Sequence, residues 1–149
     1  MTAWSGNWAW SLPLIVMSVI VHVVCMTLIN DRVVQATRAL KNRRDFVVVF
    51  ALVMGVTTLL VTLLHASEAA VWAVVYWILS ALPDFKTAML YSLNAMTTYG
   101  HEAGDLAGHW RLMGALEALN GVILFGLTTA FLYAIIREVW SSDSRAARG

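Results

Sequence analysis

Apolar residues run through this chain in three long blocks. Residues 13–29 (PLIVMSVIVHVVCMTLI) are interrupted only by His22, residues 46–64 carry no charge, and residues 112–136 carry Glu117 in their first turns. Each block is near the length of about 20 residues that a helix needs to cross hydrocarbon. A fourth apolar stretch, 69–82, is short for a span and rich in Trp72, Tyr76 and Trp77. It reads as an interfacial helix or as the extended end of the second span. Pro83 then stops the apolar run and Asp84 can cap a new helix, in which Phe85, Met89, Leu90, Leu93 and Met96 recur at roughly helical spacing. A helix over 84–97 measures about 21 Å, which reaches only part-way through a bilayer. It runs into the polar string Thr97-Thr98-Tyr99-Gly100-His101-Glu102. At membrane depth, backbone that leaves a helix must be surrounded by protein or line water. On the surface the same segment is an ordinary loop.

Composition places the chain in a bilayer. Of 149 residues, 60% are hydrophobic and 13% charged, with a mean hydropathy of +0.72. Seven tryptophans suit a protein anchored at lipid–water boundaries. The single cysteine, Cys25, excludes an internal disulfide and reads as a buried, inert thiol. The net charge of +1 says nothing about nucleic acid, but no basic tract resembles a nucleic-acid patch, and no such partner is expected. Positive residues set the topology. Arg32, Arg38, Lys41, Arg43 and Arg44 follow the first block and Arg137, Arg145 and Arg148 follow the third, leaving Lys86 and Arg111 for the other side. The N-terminus is therefore expected outside and the C-terminus in the cytoplasm, with three crossings between them. The leading residues MTAWSGNWAW hold no Lys or Arg and no small-x-small site follows, so the first span is expected to be retained. Short loops point to a bacterial inner membrane. The basic link 31–45 is expected on the inner leaflet, against anionic headgroups.

The order of outer helix, short helix, Thr-Thr-x-Gly and inner helix resembles the pore domain of tetrameric potassium channels. Leu90-Tyr91-Ser92 stands where that family has an aromatic-Ser motif, and Thr97-Thr98-Tyr99-Gly100 where it begins its T-T-V-G-Y-G-D filter. The stretch 121–135 is similar to an inner helix with its gating hinge at Gly121. The resemblance covers about the last two-thirds of the chain. It implies an all-α membrane protein with three transmembrane helices plus a re-entrant pore helix and filter loop, assembled as a homotetramer. On that reading residues 1–45 are an added peripheral helix and basic link. Residues 46–138 are the pore domain, with an outer helix at 46–82, a pore helix and filter at 84–105 and an inner helix at 111–137, and 139–149 are a short tail. The permeant species would be a monovalent cation, K+ or Na+, passing backbone carbonyls that replace its hydration shell. After Gly100 the sequence departs from the family: His101 and Glu102 stand where an aromatic residue and a second glycine are usual. A second alignment inserts two residues and keeps Gly104-Asp105 as the family's Gly-Asp. In either, His101 and Glu102 would form rings of four at the mouth of a tetramer.

Further candidates follow from position. Glu117 is expected to brace the pore loop from behind through Thr97 or Asn94, and Asn120 to bond a neighbouring helix. Thr128 and Thr129 are candidates to line the inner conduit. Asp105 and His109 read as solvated loop residues. His22 and His65, each alone on its helix, read as packed and hydrogen-bonded, so no metal site and no cofactor are expected. No Walker, HExxH, nucleophile-elbow or dinucleotide fingerprint is present, so an enzyme is not expected. A cation channel subunit, a non-conducting membrane scaffold or sensor of the same architecture, and a small transporter stay in play.

Overall fold

The computed structural model describes residues 3–40, 46–98 and 106–146. These residues form helices and short connections, with no strand among them. Helix α1 is Ala3–Leu40, α2 Phe46–Ile78, α3 Phe85–Thr97 and α4 Arg111–Ala146, and a single 3-10 turn at Gly108–Trp110 leads into α4. Three of them, α1, α2 and α4, are long and apolar enough to cross a membrane.

The bounds differ from the sequence reading in ways that have local causes. Helix α1 begins ten residues before Pro13 and takes that proline inside it. One intrahelical bond is lost there, which a long helix packed on neighbours tolerates. It also continues through Arg32 to Leu40, since nothing in the first part of the basic link breaks a helix and Val33 is buried. Cys25 is half-buried. The stretch from Ala69 belongs to α2, which stops at Ile78, short of residue 82. Its end is a Schellman-type cap: Ser80 takes a left-handed conformation (φ 51°), its N–H donates to the Trp77 carbonyl, and the Ala81 N–H donates to Tyr76 (3.0 and 2.9 Å). Helix α4 runs past residue 137 to Ala146.

Helix α3 starts as its sequence requires. Asp84 is extended, and its carboxylate accepts from the Thr87 N–H (2.9 Å) and the Thr87 hydroxyl (2.7 Å). These two donors hold the Asp84 carboxyl below its ordinary range.

The long helices turn large apolar side chains outward, while polar groups join an apolar core built around Trp72, Tyr76 and Met113. On α1 the exposed positions include Val16, Ile20, Val24 and Leu28, while the buried stripe includes Asn7, Ser11, Ser18 and His22. Apolar side chains facing outward need no partner in lipid, so polar groups gather where helices can satisfy them. Helices α1 and α4 run parallel, because Asn7 meets Met113 and His22 meets Thr128. Helix α2 runs antiparallel to α4, pairing Tyr76 with Glu117 and His65 with Thr128. A groove of about 540 Å3 separates α1 from α2 near Leu28, Arg32, Val53 and Leu60. Helix α1 is hydrogen-bonded to the other helices at Asn7 and at His22, and its Leu14 joins the apolar core around Trp72 and Tyr76.

Candidate functional site

Helix α3 lies against α2 and α4 along a seam of small residues. Its Ala88, Ser92 and Ala95 are buried, and two glycines of α4, Gly114 and Gly121, stand one heptad apart on the facing side. A Cβ at Gly121 would collide with the Met96 carbonyl oxygen and lie 2.7 Å from its Cα; at Gly114 it would collide with the Tyr91 hydroxyl. Gly121 thus serves a close approach of two backbones, whereas Gly126 has open space beside it. Gly121 lies ten positions into α4, about 15 Å along it at 1.5 Å per residue. The C-terminal end of α3 therefore sits level with the middle of α4's apolar stretch.

That end is unusual in its backbone. Thr98 adopts a left-handed conformation (φ 56°, ψ 22°), and its N–H caps the carbonyls of Asn94 and Ala95. A β-branched residue is rare there and carries strain of about 1–3 kcal/mol. Thr97 and Thr98 are exposed on the single chain, with the Thr97 hydroxyl donating to Leu93 (2.7 Å). Tyr99, Gly100, His101, Glu102 and Asp105 lie outside the described residues.

Behind α3 stands a closed polar set. Glu117 is fully buried and meets the Tyr76 hydroxyl, which donates to Oε2 at 2.7 Å, and Ser92, whose Oγ lies against Oε1. The same Ser92 hydroxyl donates to the Ala69 carbonyl at 2.8 Å. One hydroxyl proton cannot serve both acceptors, so a proton on Glu117 Oε1 completes the set. Glu117 bonds Ser92 and Tyr76, where Thr97 or Asn94 was the expected partner. The reason is depth: Glu117 lies level with the middle of α3, one turn before Gly121 meets its end. Asn120 is also fully buried, and neither amide atom finds a hydrogen-bond partner among the described residues. Tyr91 of the Leu90-Tyr91-Ser92 motif packs edge-on against Tyr76 at 5.4 Å.

A second polar set lies further along α2 and α4 and takes in α1 in place of α3. His22 Nδ1 is 3.0 Å from Glu68 Oε1, and His65 Nδ1 is 3.5 Å from Glu68 Oε2. Both imidazole Nε2 atoms lie 3.1 Å from the Thr128 hydroxyl. His22 is 0% exposed, Glu68 3% and Thr128 8%, and the His65 ring stacks on Phe125 at 4.4 Å. Two histidines that the sequence left apart are thus brought together. Glu68 was missed; its signal was the i, i+3 spacing from His65, which sets both on one face of a helix. Thr128 faces this set, while Thr129 is exposed and bonds its own helix at Phe125.

Near the start of α4, the Asn7 side chain accepts from the Met113 N–H (2.8 Å) and donates to the His109 carbonyl (2.6 Å). A side chain from α1 thereby caps α4. His109 itself sits in the 3-10 turn and is exposed. Compared with protein-family models, curated proteins and solved structures, the chain matches none.

Proposed function

We propose that this chain is one subunit of a cation channel in which four copies surround a central path. The observation that carries this reading is the position of α3. A 13-residue helix is too short to span a bilayer, yet it ends against Gly121, level with the middle of a membrane-length helix. Its last carbonyls form the negative end of a helix dipole, which favours a cation close by. Backbone is tolerated at such depth where it lines water, and Thr97 and Thr98 are exposed where a symmetry axis would run.

In the tetramer, Thr97 to Gly100 would supply carbonyl and hydroxyl oxygens to a monovalent cation, K+ or Na+. His101 and Glu102 would form rings above them, the acidic ring concentrating cations and the histidine ring titrating near neutral pH. Glu117, with Tyr76 and Ser92, holds α3 from behind. Gly121 would combine the seam with the bend of the inner helix. The N-terminus lies outside, and the basic stretch from Arg32 meets anionic headgroups inside.

Purified protein in liposomes tests the reading. The expected result is a fourfold oligomer by native mass spectrometry and a K+ or Na+ flux that Thr98→Ala and Gly100→Ala alter. A folded tetramer without flux would favour a scaffold or sensor, and a monomer or dimer would remove the central path. In the flux assay, Glu102→Gln lowers conductance, and wild-type flux changes between external pH 5 and 8.

A further inference from the structure

We infer that His22, His65 and Glu68, supported by Thr128, form a divalent transition-metal site of the zinc class that fastens α1 to α2 and α4. The inference is independent of the pore reading, since no member of the site comes from α3.

Proton counting within the cluster is the first support. The four side chains close a ring of four links: His22 to Glu68, Glu68 to His65, His65 to Thr128, and Thr128 to His22. Each link needs one hydrogen. Two neutral imidazoles and one hydroxyl bring three, and a carboxylate brings none. With the His22 Nδ1–H donating to Glu68, the Thr128 hydroxyl donating to His22 and the His65 Nε2–H donating to Thr128, two lone pairs face each other. They belong to His65 Nδ1 and Glu68 Oε2, which lie 3.5 Å apart and make no hydrogen bond. Two electron-rich atoms turned toward one another in a buried place call for a positive charge between them, which an added proton or a metal ion can supply.

The donor set identifies its class. Two imidazole nitrogens and a carboxylate oxygen suit Zn2+ far better than Mg2+ or Ca2+, which take oxygen ligands. With bonds of about 2.0–2.1 Å, tetrahedral donors stand about 3.3 Å apart. The His22 and His65 Nδ1 atoms lie 3.0 and 3.5 Å from the two different oxygens of Glu68, and one ligand atom from each of the three residues lies within 4.8 Å of the others.

The tautomers fit as well. Ligation through both Nδ1 atoms leaves both Nε2–H groups to donate to the two lone pairs of the Thr128 oxygen, both at 3.1 Å. A metal-bound histidine almost always has such a partner for its other nitrogen. One carboxylate leaves a surplus positive charge, and a water in the fourth position that ionises near neutral pH offsets it.

The chain has four histidines, so the test begins from the full-length, untagged protein carrying His101→Gln and His109→Gln. Only His22 and His65 then remain. That protein should bind one Zn2+ per chain, melt at a higher temperature with Zn2+ than with Mg2+, and give a zinc X-ray absorption spectrum with two imidazoles and oxygen. Thr128→Val should weaken binding by about 10–100-fold, and Glu68→Gln by more. The amide introduced by Glu68→Gln donates to His65 Nδ1 and accepts from His22 Nδ1–H, so the metal-free variant folds at least as well as its parent. Its loss of zinc therefore cannot be a loss of fold. Equal zinc affinity in Glu68→Gln, no saturable binding in the parent, or a melting response common to Zn2+ and Mg2+ would each overturn the site.

Discussion

The two buried polar sets of this molecule use similar parts to different ends. Around Glu117, one proton on the carboxyl group satisfies Tyr76, Ser92 and the Ala69 carbonyl at once, and the surrounding seam of Gly114, Gly121 and Ala95 is packed tightly. Around Glu68, two histidines and a threonine leave a pair of acceptors turned toward each other. The first set is closed and holds α3. The second accepts one more cation and joins α1, α2 and α4. A carboxylic acid within a membrane span is thus a structural clamp or a ligand according to the donors around it.

Substitutions can break or sharpen this contrast. The largest effect is expected at the seam, where Gly121→Val drives a side chain into the Met96 backbone. It should cost about 3 kcal/mol and displace α3, read as a lowered melting temperature and increased proteolysis after α3. Gly126→Ala, with open space beside it, should be neutral or stabilising by up to about 1 kcal/mol. Next comes Glu117→Leu, which strands the Tyr76 hydroxyl and should cost about 1–3 kcal/mol. Glu117→Gln keeps an acceptor for Tyr76 and a donor for Ser92, so it should stay within about 1 kcal/mol of the parent. A large loss in both variants would mean that the carboxyl group is not clamped as a neutral acid.

Smaller effects follow at the caps. Asn7→Ala removes the cap of α4 and should cost about 1 kcal/mol, measured by unfolding in detergent. The smallest is at Asp84, whose carboxyl is held below its ordinary range by Thr87. Because the folded value lies below the unfolded one, its contribution is present above the unfolded value and lost as pH falls through the folded one. Asp84→Ala should therefore melt slightly below the parent at neutral pH and coincide with it in acid.

The three membrane-length helices were legible in the sequence because length and hydropathy alone set them. So was the start of α3, since Pro83 and Asp84 act on adjacent backbone. The ends of α2 and α4 were less so: Ser80, with no glycine to announce it, terminates α2, and nothing in the residues after 137 stops α4. The polar sets were legible only in part. The spacing of Asn7, Ser11, Ser18 and His22 marks one face of α1, and His65 and Glu68 share a face of α2. Which faces meet depends on the register between helices, and His22 finds partners 46 and 106 positions away. No local pattern encodes those offsets. The same limit applied to Glu117, whose type predicted a buried partner but not Ser92 and Tyr76 as its identity.

The parallel pairing of α1 with α4 has a mechanical consequence. From Asn7 to His22 is fifteen positions, and from Met113 to Thr128 is also fifteen, so the two rods are bolted at two heights with matching pitch. Sliding one past the other by a single position would shear both bolts together. The pair behaves as one lever, and a tilt at the Arg137 end of α4 is carried to the stretch of α1 that begins at Arg32.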